Sequence, residues 1–256
     1  MLLVSDIWHY IKHFKLKLFR FFRKKRGAPS PEKALTLVSV HIPKTAGTSF
    51  RKSLKTAYGE EEVVRLDINL KNRRARLNEE EYEEDFLPNG IQVVHGHFSP
   101  AVILEQFPET SGVDFITWVR HPVERVISNY FYLEKRLKEE LDEAGKGLNI
   151  LSKMQRSLLE YARDEINRNR QHKFLEGMLL EDFKFVGVQE HYTDDLAELG
   201  LRLGWKEVKE TAVNITAREK PAVSDETRAE IARLNERDMA LYEQALHLRS
   251  RRKEKP

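Results

Sequence analysis

Three short runs of this sequence hold the residue types that chemistry on an anionic ligand requires. The first, His41-Ile42-Pro43-Lys44-Thr45-Ala46-Gly47-Thr48-Ser49-Phe50, groups a lysine, three hydroxyls and a glycine. Where a helix starts inside such a run, its first N–H groups carry partial positive charge. Gly47 then lets the chain wrap closely, Lys44 adds a full charge, and Thr45, Thr48 and Ser49 supply hydroxyls around the Ala46 turn. Lys44, Thr45, Ala46, Gly47, Thr48 and Ser49 are therefore the candidate cradle for a phosphate. The order differs from G-x-x-x-x-G-K-[ST], because Lys44 precedes Gly47 by three positions instead of following it.

The second run is Arg120-His121-Pro122-Val123-Glu124-Arg125-Val126-Ile127-Ser128-Asn129-Tyr130. A cation at a strand end, joined by a hydroxyl on the following helix, can clamp another phosphate. Arg120 and Ser128 fit those roles, and Arg125 falls one helical turn before Ser128. In the third run, Val94-His95-Gly96-His97-Phe98-Ser99-Pro100, two imidazoles straddle one glycine. Histidine titrates near about pH 6.5, so a neutral ring is available to take a proton from an attacking hydroxyl. Two histidines without a cysteine make a poor zinc site, and no metal is expected.

These runs need elements to carry them. Leu35 to Ile42 reads as a buried strand, followed by a helix with Phe50, Leu54, Ala57 and Tyr58 that stops at Gly59. Ile91 to Val94 and Val113 to Val119 are further strands, and Pro122 stands at the first position of a helix. Helical stretches follow near 148–166 and 172–180, then a strand at Phe183 to Val188 and a helix over Thr193 to Leu203. Ser224 caps a terminal helix carrying Ile231, Leu234, Leu241 and Ala245, which frays into the basic tail. Alternating strands and helices predict an α/β, P-loop-like three-layer sandwich: a mainly parallel central sheet flanked by helices, with ligands at the carboxyl ends of its strands. All three runs fall at such ends. Residues 60–90 and 140–182 have no assigned role, and Arg73, Arg74, Arg76, Arg168 and Arg170 in them face either an anionic glycan or solvent.

The chain of 256 residues, 40% hydrophobic, suffices for one large domain, assigned to 34–250, with a basic tail at 251–256. It has no cysteine, so a disulfide framework is excluded and a reducing compartment fits. The net charge of +3 is uneven: residues 1–26 hold eight Lys/Arg against the single acid Asp6, and the remainder carries slightly more acid than base. The basic excess therefore belongs to the leader, and no nucleic-acid partner is expected. Leu3, Ile7, Ile11, Phe14, Leu18 and Phe22 make that leader a basic amphipathic helix. It suits an anionic membrane surface, or docking on the body or on a partner chain. Gly27 to Lys33 is its linker. With no apolar run long enough to span a bilayer, the expected address is cytoplasmic, peripheral at the membrane where the leader binds one. Nothing in the sequence fixes the oligomeric state.

The order Pro-Lys-Thr-x-Gly-Thr-[ST] at Pro43 to Ser49 resembles the 5′-phosphosulfate-binding loop of the type 2, carbohydrate-directed sulfotransferase family, which includes heparan 2-O-sulfotransferase. The Arg-x-Pro-x-x-Arg-x-x-Ser-x-Tyr pattern resembles that family's 3′-phosphate segment, which implies that Arg120 and Ser128 hold the 3′-phosphate. His95 and His97 look like its catalytic pair, in which the second acts as base. Phe185 to Tyr192, Asn214 to Pro221 and Asn235 to Tyr242 are weaker landmarks. The second implies that Asn214 and Lys220 close over the nucleotide, and the third implies a structural terminal helix. The resemblance spans about residues 34 to 248. It implies 3′-phosphoadenosine 5′-phosphosulfate as co-substrate, 3′,5′-ADP as product, and a hydroxyl-bearing acceptor of the carbohydrate class, with His97, His95 and Lys44 as the catalytic set. Two other readings share the phosphate cradle: a P-loop kinase using ATP, and a catalytically silent nucleotide-binding protein at a membrane.

Overall fold

Strand β1, Leu37–Val40, is the middle one of five parallel strands, and its residues alternate between two helical layers because successive strand side chains point to opposite faces. The computed structural model describes residues 34–142, 156–206 and 222–254. The leader, its linker, Asn214 and Lys220 lie outside them, as does the first part of the expected 148–166 helix.

The chain continues through α1 (Gly47–Tyr58), β2 (Val63–Ile68), β3 (Ala75–Leu77), β4 (Glu80–Tyr82), β5 (Val93–Gly96), α2 (Pro100–Gln106), β6 (Asp114–Val119) and α3 (Pro122–Asp142). Then come α4 (Leu158–Arg163), α5 (Arg170–Phe174), β7 (Phe185–Val188), α6 (Tyr192–Arg202), α7 (Asp225–Leu234) and α8 (Glu236–Glu254). The sheet has seven strands in the order β4-β3-β2-β5-β1-β6-β7. The five strands from β2 to β7 in that order pair in parallel, and β3 and β4 add an antiparallel edge. Leu37, Ile116 and Phe185 pack with Phe50 and Leu54 of α1 and Leu196 of α6 on one face. Val38, Val94 and Val119 pack with Val102 of α2, Phe174 of α5 and Leu241 of α8 on the other. A third cluster, Val126, Tyr161 and Ile231, joins α3, α4 and α7 beside the sheet. The α/β sandwich with a mainly parallel sheet is thus present as expected.

Strand β2 and the β3–β4 hairpin were not legible in the sequence. The hairpin strands are three residues long, and the second is acidic and largely exposed, so no apolar alternation marks them. Asn78 and Glu79 both have positive φ, 49° and 78°, the backbone of a tight hairpin turn that usually shows itself by glycine. The terminal helix is also two helices: Asn235 at φ −121°, ψ 35° ends α7, and α8 starts at the next residue. Ser224 caps α7 as expected, its hydroxyl accepting from the Thr227 N–H at 3.3 Å. Helix α8 runs through Arg251 to Glu254 in place of a frayed tail. Two of its basic residues hold it to α6: Arg249 meets the fully buried Asp195 at 2.6 Å, and Arg252 meets Glu198 at 3.2 Å. No helix among the described residues is long and apolar enough to cross a membrane.

Candidate active site

Three strand ends lie side by side: β5 leads into His97, β1 into the His41–Ala46 turn, and β6 into Arg120. In parallel register Ser39 is level with His95 on one side and with Ile116 on the other, so the three sequence runs converge on one carboxyl edge.

Period two places His95 and His97 on the same side of β5. The glycine between them is enforced by packing, since a Cβ on Gly96 would lie 1.8 Å from the Leu66 carbonyl oxygen of β2. His41 fills the space between the imidazoles. Its ring stacks on His95 at 5.0 Å and on His97 at 4.3 Å between centroids. It also explains Gly47, because a Cβ there would fall 1.9 Å from His41 Nε2. The expectation that Gly47 provides the tight wrap is therefore corrected. Gly47 is the first residue of α1, and the left-handed residues are Lys44 at φ 73° and Ala46 at φ 70°. Non-glycine residues held there cost about 1–3 kcal/mol each and concentrate at functional sites. A left-handed Ala46 followed by a right-handed helical residue turns successive N–H groups inward, the geometry of an anion nest.

The N-terminus of α1 has no side-chain cap and no acidic residue in its first turn. Thr45 is fully buried, its hydroxyl donating to the Ile42 carbonyl at 2.9 Å, so that hydroxyl closes the turn. Ser49 is buried and Thr48 exposed. The Lys44 ammonium sits 4.1 Å above the Tyr132 ring, one helical turn beyond Ser128 on α3. Arg120 Nη1 donates to the Lys44 carbonyl at 3.2 Å, which ties the two phosphate candidates together.

The two imidazoles differ. His95 is 2% exposed, with Nδ1 2.9 Å from Ser39 Oγ and a further hydrogen bond to the Gly47 backbone. Burial, reinforced by His97, Arg51 and Arg65, lowers its pKa to about 3. His97 is partly exposed; its Nδ1 lies 2.7 Å from the His41 carbonyl, an acceptor, so Nδ1 carries the proton and donates it. A neutral His97 therefore presents its lone pair on Nε2. Burial lowers its pKa as well, against the upward pull of Asp67 and of the His41 carbonyl. His41 is held well below the usual histidine value by burial first and then by its two neighbours. Asp67 of β2 fixes the backbone of His97, accepting its N–H at 3.0 Å.

On the β6 side, Gln171 of α5 brackets Arg120: its Oε1 accepts the Arg120 N–H at 2.9 Å and its Nε2 donates to the Arg120 carbonyl at 2.8 Å. Glu190, just after β7, accepts the His121 N–H at 2.9 Å. Burial lowers the pKa of Arg120 and Arg170, and that of Arg125 to about 10. Arg120 Nε, Arg125 Nε and Nη1, and Arg170 Nε are sealed from solvent without a hydrogen-bond partner. Arg125 does not share an exposed face with Ser128: it is 0% exposed and one nitrogen, Nη2, donates to the Asn167 carbonyl at 3.2 Å. Arg170 is half-buried over the Phe174 ring at 5.5 Å, and that ring meets the His97 ring edge-on at 6.0 Å. The partly exposed guanidiniums of Arg120 and Arg170, each with a donor lacking a partner, are candidates for contact with an anion. His41, Asp67, Gln171 and Glu190 were not singled out by the sequence. His41, as the first residue of the phosphate-loop run, and Glu190, within the Phe185 to Tyr192 landmark, carried a local signal, whereas Asp67 and Gln171 carried none.

A family model described as "Sulfotransferase family" matches residues 32–244. No curated protein matches the chain. Among solved structures, a sulfotransferase from Alicyclobacillus acidocaldarius is similar at 15% identity and a TM-score of 0.44, covering 84% of this chain and 96% of that one. The mouse sulfotransferase SULT7A1 complexed with PAP is similar at 12% identity and a TM-score of 0.40, covering 80% of this chain and 64% of that one. Both likenesses are distant and weigh little beside the family match. Because that match takes in all three strand ends of the site and most of the chain, the protein belongs to the sulfotransferase family.

Proposed function

We propose that this sulfotransferase moves a sulfuryl group from 3′-phosphoadenosine 5′-phosphosulfate to a hydroxyl of a carbohydrate acceptor, with His97 as the base. The observation that carries the reading is the contact of His97 Nδ1 with the His41 carbonyl, 2.7 Å. Nδ1–H is committed to the His41 carbonyl, so the basic Nε2 is the atom left to take a proton, one strand away from an uncapped helix N-terminus and Lys44. His95, buried with Nδ1 against the Ser39 hydroxyl, serves as a neutral support for the stack and not as the base.

The donor brings an activated sulfuryl group on a phosphate leaving group, so positioning and electrostatics supply the acceleration without a covalent intermediate. Lys44 and the N–H groups of Thr45 to Ser49 hold the 5′-phosphate side. Arg120 and Ser128 hold the 3′-phosphate, which the orphaned Arg120 Nε supports. Asn214 and Lys220 complete the nucleotide site by resemblance alone. His97 removes the acceptor proton as the oxygen attacks sulfur, and the loop cations neutralise the charge left on phosphate. The acceptor enters beside His97, where Phe174 and Arg170 form a wall of ring and cation suited to a sugar with an acidic group.

Thermal shift with 3′,5′-ADP, set against ATP with Mg²⁺, tests the nucleotide, because only a ligand bound to the native state raises the melting temperature. Stabilisation by ATP and not by 3′,5′-ADP refutes the donor assignment. Transfer of labelled sulfate to a panel of glycans tests the acceptor. Nucleotide binding with no transfer to any of them would leave a silent binding protein.

A further inference from the structure

We propose that Gln171 is a positioning residue that presents Arg120 to the 3′-phosphate, and that the α7–α8 junction holds Gln171 in place. The inference rests on the nucleotide reading given above and adds to it a residue from another part of the chain.

Arg120 is the first residue past β6, where the sheet ladder no longer holds its peptide groups. The Gln171 amide takes over that task, accepting from the N–H and donating to the C=O of the same residue. Two opposed hydrogen bonds to one residue fix its backbone orientation, and with it the direction in which the guanidinium leaves the sheet edge. Gln171 is 0% exposed, so water cannot replace either bond.

Gln171 is itself set by residues 66 to 69 positions away. The Asp238 carboxylate accepts the N–H of Gln171 at 3.0 Å and of His172 at 2.8 Å, closing the start of α5. In return the Asn169 side chain accepts the N–H of Arg237 at 3.1 Å and of Asp238 at 3.2 Å at the start of α8. The Asn169 N–H donates to Asn235 Oδ1 at 2.9 Å. Each helix start caps the other, and the break at Asn235 is what lets α8 begin there. The terminal segment thus reaches the nucleotide site through a continuous set of hydrogen bonds: Asp238, the α5 backbone, Gln171, Arg120.

The test is calorimetric titration of the full-length protein and of Gln171→Met, an apolar side chain of similar length, with 3′,5′-ADP and with 5′-AMP, which lacks the 3′-phosphate. The wild type is expected to prefer 3′,5′-ADP. In Gln171→Met that preference falls by about tenfold or more, with 5′-AMP binding held within about twofold, as expected when hydrogen bonds fixing a charged contact are lost. Gln171→Glu, which keeps the acceptor and loses the donor, falls between the two and serves as the informative variant if Gln171→Met does not fold. In an Arg120→Gln background, Gln171→Met adds no further loss, because residues acting through one contact are not additive. Equal weakening of both nucleotides, or an unchanged preference in the folded variants, overturns the positioning role and leaves the donor assignment standing. A wild type without preference for the 3′-phosphate overturns the reading of Arg120 itself, and this inference with it.

Discussion

The two strand-to-helix junctions that meet at the sheet edge are built in opposite ways. At the β1–α1 junction the chain makes its own site: Lys44 and Ala46 adopt left-handed backbone, Thr45 closes the turn on Ile42, and α1 starts uncapped, all within ten residues. At the β6–α3 junction the local chain supplies Arg120 and Ser128 but not their geometry, which comes from Gln171 and Glu190, 51 and 69 positions away. A local loop stores strain in its own backbone, whereas an assembled one depends on distant helices being in place. The first is therefore sensitive to what its own residues become, and the second to the folding of the C-terminal half.

Variants can break this contrast or sharpen it. The largest effect is expected on chemistry at and beside the first junction: His97→Ala, at the end of neighbouring β5, should lower kcat/KM by about 10² to 10⁴ and Lys44→Ala, within the junction, by about 10² to 10³, measured by labelled sulfate transfer with circular dichroism unchanged. A folded His97→Ala enzyme with near wild-type rate removes the base assignment. Among the distant supports of the second junction, Asp238→Ala strips the acceptor from the buried Gln171 N–H and the part-buried His172 N–H and removes the carboxylate that attracts buried Arg125, so stability should fall by about 3 kcal/mol in urea.

Gly47→Ala should cost about 1–3 kcal/mol, because the new methyl must displace the His41 ring, and it should disturb catalysis along with stability. A silent Gly47→Ala would mean the stack is looser than its distances indicate.

Acid separates the buried imidazoles from ordinary ones. His95 and His41 have pKa values lowered in the folded state, so the unfolded chain binds their protons more readily. Stability is whole above about pH 6.5 and falls below it, by up to about 1.4 kcal/mol per pH unit for each such proton. His97, lowered too, should remain a working base on the acid side of about pH 6.5, putting the acid limb of kcat/KM below that value. An acid limb above it contradicts the burial. The smallest effect belongs to Ala46→Gly, where relief of left-handed strain offsets the added freedom of the unfolded chain, giving a stability change below about 1 kcal/mol.

What the sequence could and could not convey follows the same division. The β1 and β6 strands, the Pro122 start of α3, the Gly59 stop of α1 and the Ser224 cap are written in residues a few positions apart, and each appears where it was read. The β3–β4 hairpin escaped because its turn uses Asn78 and Glu79 without glycine and its strands bury little. The break between α7 and α8 escaped because Asn235 meets Asn169, 66 positions away, which no local pattern names.

By itself the sequence determined the order of the three motifs, the chemistry their residues supply and the alternation that makes a parallel sheet. Such features depend on side-chain type and on periods of two and 3.6 residues. Only the tertiary structure decided that His41 lies between the two imidazoles, that His97 presents Nε2, and that Gln171 holds Arg120. Those relations join residues about 50 or more positions apart, and their geometry exists only once parallel strands set their ends level and a helix from the far half of the chain packs against them.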